Sequence, residues 1–264
     1  MSVSSVGGSA MPAIVCTPKY LPRSSWIAAA ATATRVNPAN RPAIDQLMAV
    51  MPGYTPSADH LAAITTKYWH GGGVRLSVSF LDAPAPELRA RILEHMNAWA
   101  QSANVAFAET AGTGQVRITR SGSGYWSYLG TDVLSIPSND PTMCLESFTM
   151  DTLDSEFHRV VRHETGHTLG FPHEHLRAEL VDKIDPAKAI AYYQQTQGWN
   201  EAMVRAQVLT PIDQGSLIGT SPPDPNSIMC YQIPGTITKD GEPIVGGADI
   251  DDSDFAFAGK LYPR

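Results

Sequence analysis

The chain predicts an α+β fold, and three observations carry that expectation. Val74-Arg75-Leu76-Ser77-Val78-Ser79-Phe80 alternates apolar and polar residues, the period of a strand with one buried face. Pro86-Glu87 then opens a stretch in which Leu88, Ile92, Met96 and Trp99 share one helical stripe. Val105-Ala106-Phe107 and Val116-Arg117-Ile118 follow as short strands around a Gly112-Thr113-Gly114 turn. With 264 residues, 43% of them hydrophobic, the chain can bury one sizeable core or two lobes around a cleft.

Residues 1–65, rich in Ala, Pro, Ser and Thr, read as an extension packed on a domain spanning 66–264. Its Cys16 could offer a thiolate, a soft donor suited to zinc, although a buried or incidental cysteine is the more ordinary reading of the residue. The formal charge of −7 gives no electrostatic footprint for nucleic acid and no basic stripe for an anionic membrane. No apolar run reaches the eighteen residues of a spanning helix. Met1 to Ala10 lacks the charge and apolar core of a standard secretory signal, which leaves export by another route or a cytoplasmic location open. Three widely spaced cysteines, Cys16, Cys144 and Cys230, allow at most one disulfide. A monomer is the expected state.

After Ser121-Gly122-Ser123-Gly124, the aromatic run Tyr125-Trp126-Ser127-Tyr128 can line a cleft or join the core. Asp154 or Ser155 is expected to cap the next helix, with Phe157, Val161 and Thr168 on its buried sector. That helix carries His163-Glu164-Thr165-Gly166-His167, followed by Thr168-Leu169-Gly170-Phe171-Pro172-His173. On a helix, residues four apart lie about 40° from each other around the axis, so His163 and His167 face one cleft, with Glu164 in the same sector. Gly170 can take the left-handed conformation that ends a helix, and Pro172 cannot continue one, so the chain can return His173 as a third donor. Three imidazoles leave one open position on tetrahedral zinc, and a carboxylate beside them fits a general base. His95 and His158 fall outside this sector, and His175 competes with His173 less favourably. The site residues are therefore His163, His167 and His173 for one Zn2+ and Glu164 for catalysis.

Downstream, Asp185-Pro186 and Asn200 are helix starts, and 213–225 reads as loop. Met229 suits a hydrophobic floor rather than a ligand. Asp249, Asp251, Asp252 and Asp254 lack the pattern of a calcium loop and fit a capped helix before Phe255, with Leu261-Tyr262-Pro263 docking its end.

The stretch from His163 to Arg177, Ser227-Ile228-Met229-Cys230-Tyr231 and Trp126-Ser127-Tyr128-Leu129-Gly130 together resemble the metzincin metallopeptidases, and among them the astacins. The likeness covers roughly residues 68–264 and is nearest to bacterial and fungal astacin-like or matrix-metalloproteinase-like domains. It implies a twisted, mostly parallel sheet with an antiparallel edge strand, two long helices and an irregular helical C-terminal subdomain below the cleft. The lobes would be 66–173 and 174–264. The resemblance further implies a zinc endopeptidase with Met229 in a methionine turn and Tyr231 supporting the oxyanion. Cys230 stands where a histidine is common, and ligation by it is a lesser alternative. Peptide or protein would bind along an edge strand placed at 142–147, and residues 1–65 would act like a pro-segment. Glu174 would pair with a cation. The rival functions are a non-catalytic zinc-binding effector and a zinc amidase acting on a non-peptide substrate.

Overall fold

The computed structural model describes residues 16–17, 19–41, 57–58, 65–212 and 222–264. Most of the N-terminal extension and residues 213–221 of the loop expected at 213–225 lie outside the described residues. In chain order the main elements are α1 (Trp26–Val36), β1 (Val74–Phe80), α2 (Pro86–Met96), β2 (Val105–Glu109), β3 (Val116–Thr119), β4 (Tyr125–Ser127) and β5 (Met143–Leu145). A continuous helix, α3, follows in three segments: Asp154–Glu156, a π-helical Phe157–Val161, and Arg162–Thr168. Then come α4 (Ala178–Val181), α5 (Pro186–Gln197), α6 (Glu201–Val204) running into a π-helical Arg205–Leu209, and α7 (Asp252–Leu261). Among the described residues no helix is long and apolar enough to cross a membrane.

The fold is α+β, and its five strands lie in the order β2-β1-β3-β5-β4. All pairs are parallel except β4 with β5, which sets Tyr125 opposite Leu145 and Ser127 opposite Met143. This corrects the expected edge at 142–147. β5 is interior, bonded on both sides, and the edge on that side of the sheet belongs to β4. The three residues of β5 are all buried, as an interior strand covered on both faces requires. α2 covers the sheet with Leu88, Ile92 and Met96, and the core runs on through Trp99, Phe157, Val161 and Phe171 to Met229 and Tyr262. A second apolar cluster below the cleft joins Leu180, Ala189, Tyr193, Val204, Val208 and Ile233.

Local chemistry explains most boundaries. Asp185 caps α5 by accepting from the N–H groups of Ala187 and Lys188, and Gly198 ends that helix at φ 67°. Asn200 caps α6 through Met203 N–H, although Met203 itself is exposed. Asp251 and Asp254 form a reciprocal capping box at the start of α7. The expected cap of α3 is not made: Leu153 stands at that position, and the Asp154 carboxylate turns to Arg91 at 2.9 Å.

The N-terminal extension is sewn to the rest. Asn40 is fully buried; its amide donates to the carbonyls of Ala33 and Tyr68, and its oxygen accepts from Tyr68 N–H. Upstream, Cys16 bridges Tyr125 and Lys19 bridges Tyr128, both in parallel sense, so this segment lies along the edge of β4. Thr17 N–H donates to Tyr125 O at 2.9 Å, and the Lys19 ammonium sits 4.8 Å from the Trp126 ring.

Candidate metal centre

Helix α3 places His163, Glu164 and His167 at the base of the cleft, all buried. Its end is shaped by Gly170, at φ 97°, where a Cβ would meet Tyr68 Cδ1 at 3.1 Å. Gly170 N–H donates to His167 O and Phe171 N–H to Gly166 O, the paired bonds of a glycine-terminated helix. The chain then reverses and delivers His173. Glu174 N–H bonds to Met229 O at 2.9 Å, which fastens this turn to the segment beneath it.

The three imidazoles converge through one nitrogen each. His173 Nε2 lies 3.2 Å from His163 Nε2 and 3.0 Å from His167 Nε2. The opposite nitrogens are occupied: His163 Nδ1 lies 2.6 Å from Ile228 O and His167 Nδ1 lies 2.8 Å from Phe171 O. A carbonyl only accepts, so those Nδ1 atoms carry the protons and the converging Nε2 atoms of His163 and His167 are bare lone pairs. Both lone pairs point toward His173 Nε2, so the three rings converge where a cation would accept from each of them. Tetrahedral zinc with nitrogen donors at about 2.0–2.1 Å separates those donors by about 3.3 Å, close to the observed spacing, so this donor set fits zinc. Burial keeps all three neutral, holding His163 near 4 and His167 and His173 well below the ordinary histidine value.

A fourth donor approaches from the N-terminal segment. Cys16 Sγ and the three histidine nitrogens all lie within 4.8 Å of one another. Cys230 is elsewhere; its thiol points to Tyr231 O at 3.7 Å, and none of the three cysteines is in a disulfide. His158 bonds Asp249 at 2.7 Å, and His95 receives Arg162 Nε, so neither reaches the centre.

Glu164 is buried beside the donor set. Burial pushes its carboxyl up to about 8, offset in part by the Cys16 thiol and the Arg159 guanidinium. Its Oε2 is buried with no hydrogen-bond partner, leaving one oxygen available to accept a proton. Tyr231 is buried against His173, with ring centroids 4.3 Å apart, and its hydroxyl donates to the carbonyl of Cys16. Glu174 pairs with Arg177 at 3.5 Å and accepts from Asp224 N–H.

Three supports were not legible in the sequence. Asp254 accepts from Ser227 Oγ, Ile228 N–H and Asp251 N–H, so it holds the strand of chain whose carbonyl orients His163. Gly166 leaves room for Met229: a Cβ there would lie 2.4 Å from Met229 Sδ. His175 stacks on Tyr231 and bonds to Gln207 O. Only glycine in the middle of a helix hinted at the second.

Against known proteins, the family model described as astacin, a peptidase family, matches residues 63–234. The zinc metalloproteinase nas-27 of Caenorhabditis elegans is 32% identical over 91 residues, which are 34% of this chain and 19% of that protein. The match thus spans about a fifth of that relative's length. The structure of myroilysin aligns with TM-score 0.70 at 33% identity, covering 75% of this chain and 96% of that one. High choriolytic enzyme 1, a hatching enzyme zinc-protease of the medaka Oryzias latipes, aligns with TM-score 0.51 over 76% of this chain and 95% of its own, and at 19% identity it speaks for the fold alone.

Proposed function

The chain belongs to the astacin family of zinc-dependent peptidases, and on that premise we propose that it is an endopeptidase in which His163, His167 and His173 hold zinc, Glu164 is the general base and Tyr231 steadies the oxyanion. The observation that carries the reading is the meeting of three imidazole Nε2 atoms, those of His163 and His167 proton-free, beside a carboxyl whose second oxygen is unengaged. Zinc, when bound, acidifies water and polarises a carbonyl. Glu164 takes the proton from the attacking water and returns it to the departing amine. Burial raises the proton affinity of this carboxyl, which strengthens it as a base. The Tyr231 hydroxyl donates to the oxygen on which charge develops. A peptide substrate is gripped by main-chain hydrogen bonds along the edge of β4, which supports cleavage within chains rather than at their ends.

In the full chain that edge and the centre are both taken by the N-terminal segment. Residues 1–65 therefore act as an inhibitory extension of a catalytic domain at 66–264, whose lobes are 66–173 and 174–264. Cys16 supplies the fourth donor, and its carbonyl occupies the Tyr231 hydroxyl. Burial and the neighbouring Glu164 carboxyl raise the thiol pKa, and a coordinating metal would reverse that by taking the thiolate.

The test uses the full chain loaded with zinc and activated by limited proteolysis within its first 65 residues. Denatured proteins and peptide mixtures are incubated with it, with and without chelator. Glu164→Gln is expected to retain one zinc and to lose about 10²- to 10⁴-fold in kcat. Unchanged turnover rejects Glu164 as base. Chelator-sensitive hydrolysis of simple amides with intact peptides would favour an amidase, and zinc binding with no hydrolysis a binding protein.

A further inference from the structure

Tyr231 has one neighbour whose chemistry the proposed reaction does not use. The His175 ring is fully buried and stacks on the Tyr231 ring at 4.0 Å with the planes 18° apart. Its Nε2 lies 2.8 Å from Gln207 O, a carbonyl, so Nε2 carries the proton and donates. Why that carbonyl is available follows from the sequence. In an α-helix Gln207 O would accept from residue 211, which is Pro211 and has no N–H. The next donor along, Ile212 N–H, is bonded to Leu176 O at 2.9 Å. The end of the π-helical segment Arg205–Leu209 is thus tied to the 174–176 turn at two points, one of them through an imidazole.

A purely space-filling role would favour a phenyl ring. Burying an imidazole costs desolvation, and His175 Nδ1 has no partner. What imidazole adds is direction: a single bond to Gln207 fixes the rotation of the ring, and the ring face fixes the plane of the phenol lying on it. We propose that His175 is a positioning residue that, locked by Gln207 O, sets the orientation of Tyr231 beside the three zinc-binding histidines. The proposal rests on the assignment of Tyr231 to the oxyanion, and acts through it.

Two readouts test it. In the activated enzyme, His175→Ala is expected to lower kcat about tenfold with KM unchanged, because a misaimed donor weakens the transition state and not substrate binding. His175→Phe, which keeps the stack, should recover part of that loss. In a Tyr231→Phe background, His175→Ala should cost nothing further. Independently, 19F NMR of the full chain carrying 3-fluorotyrosine identifies Tyr231 as the line absent from Tyr231→Phe. That line should shift and broaden in His175→Ala and, with the stack kept but the bond to Gln207 O lost, broaden less in His175→Phe. If His175→Ala does not fold, His175→Gln, which keeps an N–H for Gln207 but no ring face, is measured in its place. Equal loss of kcat in both backgrounds, or an unmoved Tyr231 line, overturns the proposal. If Tyr231→Phe leaves kcat unchanged, the oxyanion role of Tyr231 fails while the NMR line still decides the placement.

Discussion

Replacing Gly166 with alanine should weaken zinc binding without touching a ligand. The new Cβ would lie 2.4 Å from Met229 Sδ and 3.2 Å from both Met229 Cε and Trp99 Cζ2. Ordinary contacts are about 3.5–4.0 Å, so the sulfur must retreat by more than about 1 Å. Neither neighbour has room to yield: Met229 is 4% exposed, and Trp99 is fully buried with its indole N–H on Arg162 O at 2.9 Å. Helix propensity favours alanine by up to about 1 kcal/mol, and overpacking of this kind costs about 1–3 kcal/mol. Folding should therefore lose about 0–2 kcal/mol. The larger effect passes along the backbone, because Ile228 O orients His163 and Met229 O holds the turn after His173. Disturbing such outer contacts typically costs 10–100-fold in metal affinity. Competition with a coloured chelator measures the zinc affinity, and thermal melts in excess zinc measure the fold. Wild-type affinity together with an unchanged melt would refute the packing argument.

Cys16→Ser in the uncut chain should raise basal peptidase activity about 10- to 100-fold by removing the thiolate donor, while main-chain contacts to β4 keep it below the cut enzyme; equal activity of variant and wild type would count against Cys16 as the latch. Asp254→Ala strands the Ser227 and Ile228 donors and should cost about 2–4 kcal/mol, seen as a Tm lower by roughly 5–10 °C; a smaller drop would show water replacing the carboxylate. Asp132 is buried with Lys67 at 3.6 Å, and burial raises its carboxyl to about 6. Because this folded value exceeds the unfolded one, about 3.9, the group favours folding most in acid and loses that contribution as pH rises through 6. The stability deficit of Asp132→Asn relative to wild type should accordingly shrink by about 2 kcal/mol between pH 4 and pH 7 in denaturant melts; a pH-independent deficit would contradict the assignment.

The parts legible in the sequence are those whose cause is local. Alternation marked β1, side-chain caps at Asp185 and Asn200 marked helix starts, and the spacing of His163, Glu164 and His167 assigned one face of a helix. Strand order is not local. Residues 142–147 looked suited to an edge, yet pairing to both β3 and β4 buries β5, and no residue within the segment announces that. The cap of α3 failed for a related reason, since Arg91, 63 residues away in sequence, draws Asp154 off. The supports of the centre are equally remote: Asp254 reaches Ile228 across 26 residues and His175 reaches Gln207 across 32. Cys16 was recognisable as a donor by its chemistry; its arrival at the histidines depends on Cys16 and Lys19 lying along β4.

That alignment has a direction, and direction has a consequence. The segment runs the same way as β4, whereas a substrate pairing antiparallel with the strand runs the opposite way. Each amide of the blocking peptide is then presented back to front, with nitrogen where a cleavable bond would offer its carbonyl carbon. A plug inserted in reverse can lie against the reactive atoms without being consumed, whatever side chains it bears. Resistance of the plug to cleavage would then reside in chain polarity, while Cys16 holds it in place, and exchanging side chains at Thr17 or Tyr20 should leave that resistance intact.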